Sequence, residues 1–496
     1  MTALLMSAGV LIMAIGIIAS IALHEVGHLL PAKLFNVRVT QYMVGFGPTL
    51  WSKVRGETEY GIKAVPLGGY VAMIGMYPPP EQQHDAAAGT EEEEEHDAGP
   101  ADPYLQHIGA QYVAPPVERS AAAERVPQER KTVISHSTGI FQQMSQEARE
   151  VAAEELRPGD EQRMFFKLAT WKKVIIMLGG PAMNGILALL LTAGTVSLHG
   201  MNTATTEVAD VFECITTVEA QEAAEWLDER ECTDADPAGP AYEAGLEPGD
   251  EIVAFAGTPI DEWDDLTPLI RDAAGTPSQV VYLRDGEERT TEVTPILTER
   301  PVEGRMGAPE READGSLVTE PVGFIGVVSL TEVQRQPPWE AGPIVYEQTK
   351  AVGHVVLTLP QRMYEVGVST FTAAERDPEG PMSVVGVGRV AGEISAQDQI
   401  PWESRFATLM SLVAGVNVAL MVFNLIPLLP LDGGHVAGAL YEALRRRLAK
   451  LLRRPDPGPF DISKLLPLTY VVAVLLISMG LLLILADIIN PIRLFE

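Results

Sequence analysis

The residues best suited to chemistry lie near the start of the chain, in the sequence His24-Glu25-Val26-Gly27-His28. On an α-helix, His24 and His28 are four residues apart and share one face, so both imidazoles can bind one metal ion. Glu25 lies beside them and can take a proton from a metal-activated water, then pass it to a leaving amine. A chance match to this spacing arises on the order of once in a hundred chains of this composition.

A catalytic zinc site needs a third protein ligand and one open position for water. The candidates lie in the sequence from Asn424 to His435, Asn-Leu-Ile-Pro-Leu-Leu-Pro-Leu-Asp-Gly-Gly-His. Asp432 ends an apolar segment and has no basic neighbour in sequence, so binding a cation is its natural role. His435 is the rival ligand. Pro427 and Pro430 interrupt the helix and free backbone groups that need another partner. Asn424 is well placed to bond to such a backbone group or to an extended substrate.

Four apolar segments must position these residues, and each is long enough for the roughly 20 residues that a helix needs to cross a membrane. They span residues 3–30, 174–198, 406–431 and 466–489. Imidazole and carboxylate groups inside such a segment are costly and usually functional. A cleaved signal peptide is disfavoured, because no Lys or Arg precedes the first segment and its apolar stretch is too long.

Basic residues flank the segments and predict their direction. They follow the first segment, precede the second and fill the connection between the third and fourth, at Lys33, Arg38, Arg163, Lys167, Lys172, Lys173, Arg445, Arg446, Arg447, Lys450, Arg453 and Arg454. The positive-inside rule places these clusters in the cytoplasm, and both termini and residues 199–405 outside. The first and third segments then run in the same direction, so His24 and Asp432 arrive at similar depth near the cytoplasmic side.

The connections between the apolar segments differ in composition. Residues 36–77 alternate as short strands with glycine punctuation, which predicts a β-hairpin. Residues 78–160 begin with three prolines and include Glu91 to Glu95, which is typical of an acidic, low-complexity insertion that is regulatory or merely solvating. Residues 205–300 show strands around a helix at 263–274, a small α/β pattern, and residues 301–405 form a less readable connector.

Composition limits the function further. The chain has 496 residues, and 36 Lys and Arg against 67 Asp and Glu give a net charge of −31. Such an acidic balance argues against nucleic acid as a partner. The two cysteines, Cys214 and Cys232, match no thiolate zinc site and could form one disulfide outside the cytoplasm or remain separate thiols.

The two metal motifs together resemble the site-2 protease family of intramembrane zinc metalloproteases. The matching residues are His24-Glu25-x-x-His28 and Asn424-x-x-Pro427-x-x-Pro430-Leu431-Asp432-Gly433, together with Trp171-Lys172 and Gly179-Gly180-Pro181-Ala182-Met183-Asn184 of the bacterial branch. The Ala244-Gly245-Leu246 and Pro248-Gly249-Asp250 stretch resembles a PDZ domain, and its insertion between the second and third segments resembles the regulator-of-sigma-E proteases. Within that branch the chain is similar to actinobacterial members.

The resemblance implies a polytopic α-helical membrane protein of about four transmembrane helices, with an inserted extracytoplasmic α/β PDZ-like domain and a membrane-associated β-hairpin. The expected order begins with a first helix that carries the metal motif at 1–35, the hairpin at 36–77 and the acidic cytoplasmic insertion at 78–160. A second helix is expected at 161–200, the PDZ-like domain at 201–320 and a connector at 321–405. The last part is a third helix with the third ligand at 406–440, a basic cytoplasmic loop at 441–465 and a fourth helix at 466–496.

The implied activity is regulated intramembrane proteolysis in the cell membrane. The resemblance implies Zn²⁺ on His24, His28 and Asp432, with Glu25 as general base and then acid. The implied substrates are single-span proteins such as anti-sigma factors, or remnant signal peptides, which pair with the hairpin; the PDZ-like domain binds peptide segments, and lipids surround the helices. Supporting or substrate-binding roles are expected for Asn424, Pro427, Pro430, Gly433, Gly69 and Asn184.

Two other functions fit parts of the pattern. A membrane-anchored zinc protease could cut soluble or interfacial segments, but its third ligand is usually a Glu or His on a later helix. A non-catalytic metal-binding scaffold could present the PDZ-like domain, and that hypothesis requires Glu25 to be dispensable.

Overall fold

The structure, a computed structural model, describes residues 2–76, 157–215, 232–233, 236–302, 317–372, 376–377 and 380–492. Most of the acidic insertion predicted at 78–160 lies outside these residues. Four helices of the described part are long and apolar enough to cross a membrane: Thr2–Leu34, Thr170–His199, Trp402–Asn424 and Ile462–Ile489. Together with a β-sheet region inserted between the second and third of them, they fit a membrane protein with an inserted β domain.

The N-terminal part joins a membrane helix to a long hairpin. Helix α1 (Thr2–Leu34) is followed by the antiparallel strands β1 (Val39–Arg55) and β2 (Thr58–Met73). Residues 41–44 of β1 pair with residues 59–62 on one side and 69–72 on the other, so β2 lies along both edges of the first part of β1. Helix α2 (Thr170–Gly194) continues into a π-helical turn, Thr195–His199.

The inserted β domain follows α2. Its elements are β3 (Met201–Val211), α3 (Pro240–Glu243), β4 (Glu251–Phe255), β5 (Thr258–Pro259), α4 (Trp263–Asp272), β6 (Ser278–Arg284), β7 (Glu287–Val293), β8 (Ile296–Pro301), β9 (Thr319–Phe324) and β10 (Val327–Gln334). The main sheet is antiparallel in the order β10-β3-β4-β6-β7, with β5 on β4, while β8 and β9 form a separate pair. Phe255, Leu266 and Val280 are fully buried in its core.

The predicted boundary of this domain at residue 320 is wrong. Strand β10 pairs along β3 from Val327 opposite Val211 to Gln334 opposite Met201, and so forms an edge of the sheet. Strand pairing over such a sequence separation leaves no local pattern, which is why the sequence placed these residues in a connector. A disulfide joins Cys214 to Cys232, so the two thiols are one bridge.

The rest of the connector and the C-terminal part are helical. The helices are α5 (Ala341–Leu357), α6 (Leu359–Phe371), α7 (Val384–Ala396), α8 (Trp402–Asn424), α9 (Asp432–Leu451) and α10 (Leu466–Ile489). Helix α7 packs its Val390 and Ala391 against Met13 and Ile17 of α1. The third apolar segment ends its helix at Asn424, before the prolines, rather than at 431. The predicted basic loop at 441–465 is helical as far as Leu451.

Candidate metal centre

Helix α1 holds two imidazoles on one face, as the four-residue spacing predicts. The Nε2 atoms of His24 and His28 lie 3.2 Å apart. Both residues are buried, with 8% and 6% of their surface exposed. On α1, the one charged neighbour of these two Nε2 atoms is Glu25. The other helices therefore supply the groups that the two atoms face.

Helix α9 brings the third side chain. Its first residue, Asp432, lies with Oδ2 at 3.2 Å from His24 Nε2 and 3.3 Å from His28 Nε2. This oxygen is buried and makes no hydrogen bond within the described residues. The three ligand atoms lie within 4.8 Å of one another. Two imidazole nitrogens and one carboxylate oxygen that converge in this way are the donor types that a catalytic zinc site uses, so this group could hold a metal ion.

Helix α2 fixes the orientation of both rings through their second nitrogens. Nδ1 of His28 lies 2.8 Å from the carbonyl oxygen of Ile176 and must donate to it, which leaves the Nε2 lone pair for a metal. Nδ1 of His24 lies 3.0 Å from the amide of Asn184, a fully buried residue. The amide atom at this distance is Nδ2, and Oδ1 of Asn184 is buried without a hydrogen bond among the described residues. Exchanging these two amide atoms places Oδ1 on Nδ1–H of His24 and leaves the Nε2 lone pair of that ring for a metal.

Glycines let α2 approach the rings closely. A Cβ at Gly180 would overlap Nε2 of His28 and lie 2.6 Å from Nε2 of His24, so no other residue fits there without moving the rings. Gly27 and Gly179 meet backbone to backbone, the close helix approach that small residues permit in membranes. Gly180 belongs to the motif from Gly179 to Asn184, but nothing in the sequence predicts its contact with the two imidazoles.

The hairpin lies against the side chain of Glu25 at Gly69 of β2. A Cβ at Gly69 would lie 2.8 Å from Glu25 Cγ and 3.1 Å from Glu25 Oε1. Tyr42 of β1 donates its hydroxyl to the carbonyl oxygen of Ala22 at 2.7 Å. Burial, with the nearby Glu25 carboxylate, raises the pKa of Tyr42 to about 12, so this donor stays protonated. The hairpin is thereby attached to α1 two residues before the motif.

The remaining predicted residues are close to Asp432 in sequence and are not among the convergent ligand atoms. Pro427 and Pro430 are exposed in the segment between α8 and α9, and Asn424 ends α8. A Cβ at Gly433 would overlap the carbonyl oxygens of Leu425 and Ile426, so α9 can start only with a glycine there. His435 lies outside the convergent set, and its Nδ1 is buried without a hydrogen bond in the described part of the chain.

An ion pair that the sequence did not predict ties α9 to α2. Lys173 Nζ donates to both carboxylate oxygens of Glu442 at 3.1 and 3.0 Å, and each side chain is only 5% exposed. Glu442 lies on the helix that begins with Asp432, while Lys173 lies on the helix that contacts both imidazoles. The pair therefore connects the two parts of the chain that must meet at the metal.

Comparisons with known proteins agree with this geometry. The profile of Peptidase family M50 matches residues 12–452. The zinc metalloprotease Rip1 of Mycobacterium tuberculosis is 31% identical over 496 residues, covering 98% of this chain and 99% of its own. Rip1 of Mycolicibacterium smegmatis is 28% identical over 504 residues, with 98% and 99% covered. The zinc metalloprotease RasP of Oceanobacillus iheyensis is 24% identical over 441 residues, covering 88% of this chain and 90% of its own.

The match begins at residue 12, within the first membrane helix, and includes the β domain and the whole of α9. It therefore contains every residue of the candidate centre. The chain belongs to peptidase family M50, the site-2 protease family, and is a membrane zinc metalloprotease.

Proposed function

We propose that this protease cuts peptide bonds within or near the transmembrane segments of single-span proteins, with zinc held by His24, His28 and Asp432. The observation that carries the proposal is the convergence of two buried imidazole nitrogens of a membrane helix with a carboxylate oxygen of α9, with Glu25 adjacent to the first imidazole in sequence. When bound, zinc acts as a Lewis acid on the scissile carbonyl and on the attacking water.

Glu25 moves the proton in this mechanism. It accepts the proton of the attacking water and then donates it to the leaving amine. Glu25 is 8% exposed, and no Lys or Arg forms an ion pair with it among the described residues, so its carboxylate is free to exchange a proton. Asn184 and the Ile176 carbonyl keep the two imidazoles in the tautomer that binds metal.

The hairpin offers a place for an extended substrate. A helical substrate must unwind before its peptide bond can be attacked, because its carbonyls are hydrogen-bonded and sterically covered. The 69–72 part of β2 pairs with β1 on one side and lies beside Glu25 at Gly69. We infer that the substrate adds as a strand there. Leu50, Trp51 and Val54 leave 70%, 57% and 67% of their surfaces exposed, as expected of a hairpin that contacts the membrane.

The test of the chemistry is Glu25→Gln in purified, full-length protein. Cleavage of a single-span substrate should fall by about 10²–10⁴-fold, the usual contribution of a general base. Bound zinc should be unchanged, because all three ligands remain. Glu365→Gln, at an exposed position of α6, is the matched control and should cleave normally. Retained proteolysis by the Glu25 variant would favour the scaffold hypothesis.

We further propose that both termini and the β domain are extracytoplasmic and that α9 is cytoplasmic. The support is the clustering of Lys and Arg beside the cytoplasmic ends of the four apolar helices. A single thiol introduced near Arg446 should resist a membrane-impermeant reagent in intact cells, while one near Asp250 should react. The reverse pattern of labelling would overturn this topology.

The β domain has features of a PDZ-like peptide-binding module. β10 is an edge strand of its sheet, and a groove of about 450 Å³ beside it is lined by Trp263, Ile270, Phe324 and Val327. An added peptide strand would lie between β10 and α4. In the proposed topology this domain stands outside, so it cannot reach the zinc across a core about 30 Å thick. We propose that it excludes substrates with large extracytoplasmic portions and admits trimmed stubs.

Removal of the domain tests this filter. Met201 pairs with Gln334, so the chain enters and leaves the sheet side by side, and residues 202–333 can be replaced by a short Gly-Ser joint. The shortened enzyme should cut untrimmed single-span substrates, such as intact anti-sigma factors, that the full-length enzyme leaves intact. If it instead fails on a pre-trimmed substrate although stably inserted, the domain recruits substrate through strand addition and the filter idea is wrong.

A further inference from the structure

Helix α9 leaves an apolar face uncovered by the described part of the chain. Leu440, Leu444, Leu448 and Leu451 are 55%, 56%, 47% and 78% exposed. Their spacing of four, four and three residues places them on one side of the helix. We call these four residues the leucine face. Four exposed leucines on one stripe need a partner, because such a stripe is costly in water.

Several cations lie beside the leucine face, and four of them have no counter-ion within the described residues. Residues 445–454 contain six Lys or Arg and no Asp or Glu, in a chain whose net charge is −31. Arg446 pairs with Glu442 and Asp456, and Arg445 donates to backbone carbonyls. The four others are exposed and form no ion pair in the described ranges: Arg447, Lys450, Arg453 and Arg454.

The opposite face of α9 is already occupied. Glu442 binds Lys173 of α2, and Ala439 and Gly438 are buried on the same side. The connection from α8 to α9 is residues 425–431, and the 3₁₀ turn that leads into α10 begins at Ile462. Helix α9 is thus held between two membrane helices, with its leucine face directed away from α2.

We propose that α9 is an interfacial helix that binds anionic phospholipid headgroups and that this contact holds Asp432 in position. Leucines on one face and cations at its border are the pattern of a helix lying at the headgroup boundary of an anionic leaflet. A second copy of the chain fits this surface less well, because it would bring the same unpaired cations together. The inference rests on the proposed function and topology, since it needs α9 at the membrane surface.

The coupling to the active site follows from the covalent order. Asp432 is the first residue of α9, so tilt or sliding of the helix moves its carboxylate relative to the imidazoles at 3.2 and 3.3 Å. Lys173 and Glu442 restrain one face of the helix. Lipid headgroups would restrain the other face, where the described protein supplies no contact.

Binding is tested with a probe on the leucine face. Both native cysteines are in the disulfide, so Leu448→Cys adds the one free thiol for an environment-sensitive fluorophore. Full-length protein is placed in phosphatidylcholine vesicles, with or without about 30 mol% phosphatidylglycerol, containing lipid spin-labelled near the headgroup. The label should be quenched, more strongly with phosphatidylglycerol. A label at Glu287→Cys, on the exposed part of β7, should not be quenched.

The functional arm uses the same vesicles and a pre-trimmed single-span substrate. The wild-type rate should be about fivefold higher with phosphatidylglycerol, the effect of roughly one cation at an anionic surface. Changing Arg447, Lys450, Arg453 and Arg454 to Gln should abolish this difference, whereas changing the three arginines to Lys should retain it. Equal, Glu25-dependent rates in both vesicles would overturn the inference and leave the proposed function intact.

The two proposals fail separately. No cleavage in either vesicle would count against the proposed function, while quenching at position 448 would still report lipid contact. If the label at position 448 is not quenched, and the unlabelled Leu448→Cys thiol cross-links to a second copy of the chain, the leucine face is a dimer interface instead.

Discussion

Two regions of the molecule bury an aspartate, and their partners differ. In the β domain, Asp250 is fully buried and accepts from Nε and Nη2 of Arg284 at 2.7 and 2.8 Å. Its hydrogen bonds raise the pKa of Arg284, so the guanidinium stays charged. At the candidate metal centre, Asp432 faces two imidazole nitrogens and keeps a buried oxygen without a hydrogen bond among the described residues. A carboxylate taken out of water needs a cation, and of these two aspartates it is Asp250 that has a Lys or Arg in the described part of the chain.

The same distinction holds elsewhere in the described chain. Asp487 of α10 pairs with Arg376 and accepts from the backbone and hydroxyl of Ser383. Glu442 pairs with Lys173. These acids complete contacts between elements and are satisfied by them. Among the buried acids of the described residues, Glu25 is the one without a Lys or Arg partner, and the partly buried Asp432 likewise faces imidazoles instead. These are the two acids that the proposed chemistry uses. A missing protein cation therefore separates chemical from structural carboxylates in this molecule.

The distinction between Asp432 and the paired carboxylates would be wrong if Asp432 could be replaced without loss of bound zinc. We expect Asp432→Ala to reduce zinc affinity by more than the about 10–100-fold typical of an outer-shell residue, and to abolish cleavage. His435→Ala should spare the zinc, because His435 is outside the convergent set. Metal analysis of the purified variants decides the matter. The reverse order of zinc loss would make His435 the third ligand.

Breaking the ion pair between α2 and α9 should have an effect of intermediate size, because this carboxylate, like Asp250, is neutralised by a protein cation. Glu442→Gln should cost about 3–5 kcal/mol of stability, because it leaves Lys173 charged and buried. We also expect weaker zinc binding, since α9 carries Asp432. Thermal unfolding and zinc titration measure the two effects. Changing both Lys173 and Glu442 to Met should recover much of the stability. Full zinc affinity in Glu442→Gln would show that the pair does not position Asp432.

The smallest effect on catalysis is expected in the β domain. Arg284→Met should destabilise that domain by about 3–5 kcal/mol, because Asp250 loses its counter-ion in a buried place. Cleavage of a pre-trimmed substrate should nevertheless stay at the wild-type rate. Limited proteolysis of the full-length protein reports the first effect. Arg289→Gln, at an exposed pair with Glu287, is the control and should change stability by less than about 0.5 kcal/mol. If Arg284→Met lowered activity as well as the stability of the β domain, the domain would not be separate from catalysis.

Much of the candidate centre could be predicted because its signals are local. The four-residue spacing of His24 and His28 fixes their common face on any helix, and an acid with no basic neighbour marks Asp432. The expected similar depth of His24 and Asp432 is matched by their contact, although the route differs. Helix α8 ends at Asn424, and a non-helical segment then delivers Asp432 to the start of α9. The sequence treated those residues as one continuous span.

The sequence by itself determined the apolar helices, the ligand spacing and the acidic composition, because hydropathy and helical periodicity act over neighbouring residues. Only the tertiary structure decided which α2 groups orient the rings, that Gly180 must be small, and that Lys173 meets Glu442. It also decided that β10 completes the sheet begun by β3. These contacts join residues more than a hundred positions apart, and their energies depend on burial and geometry that no local pattern encodes.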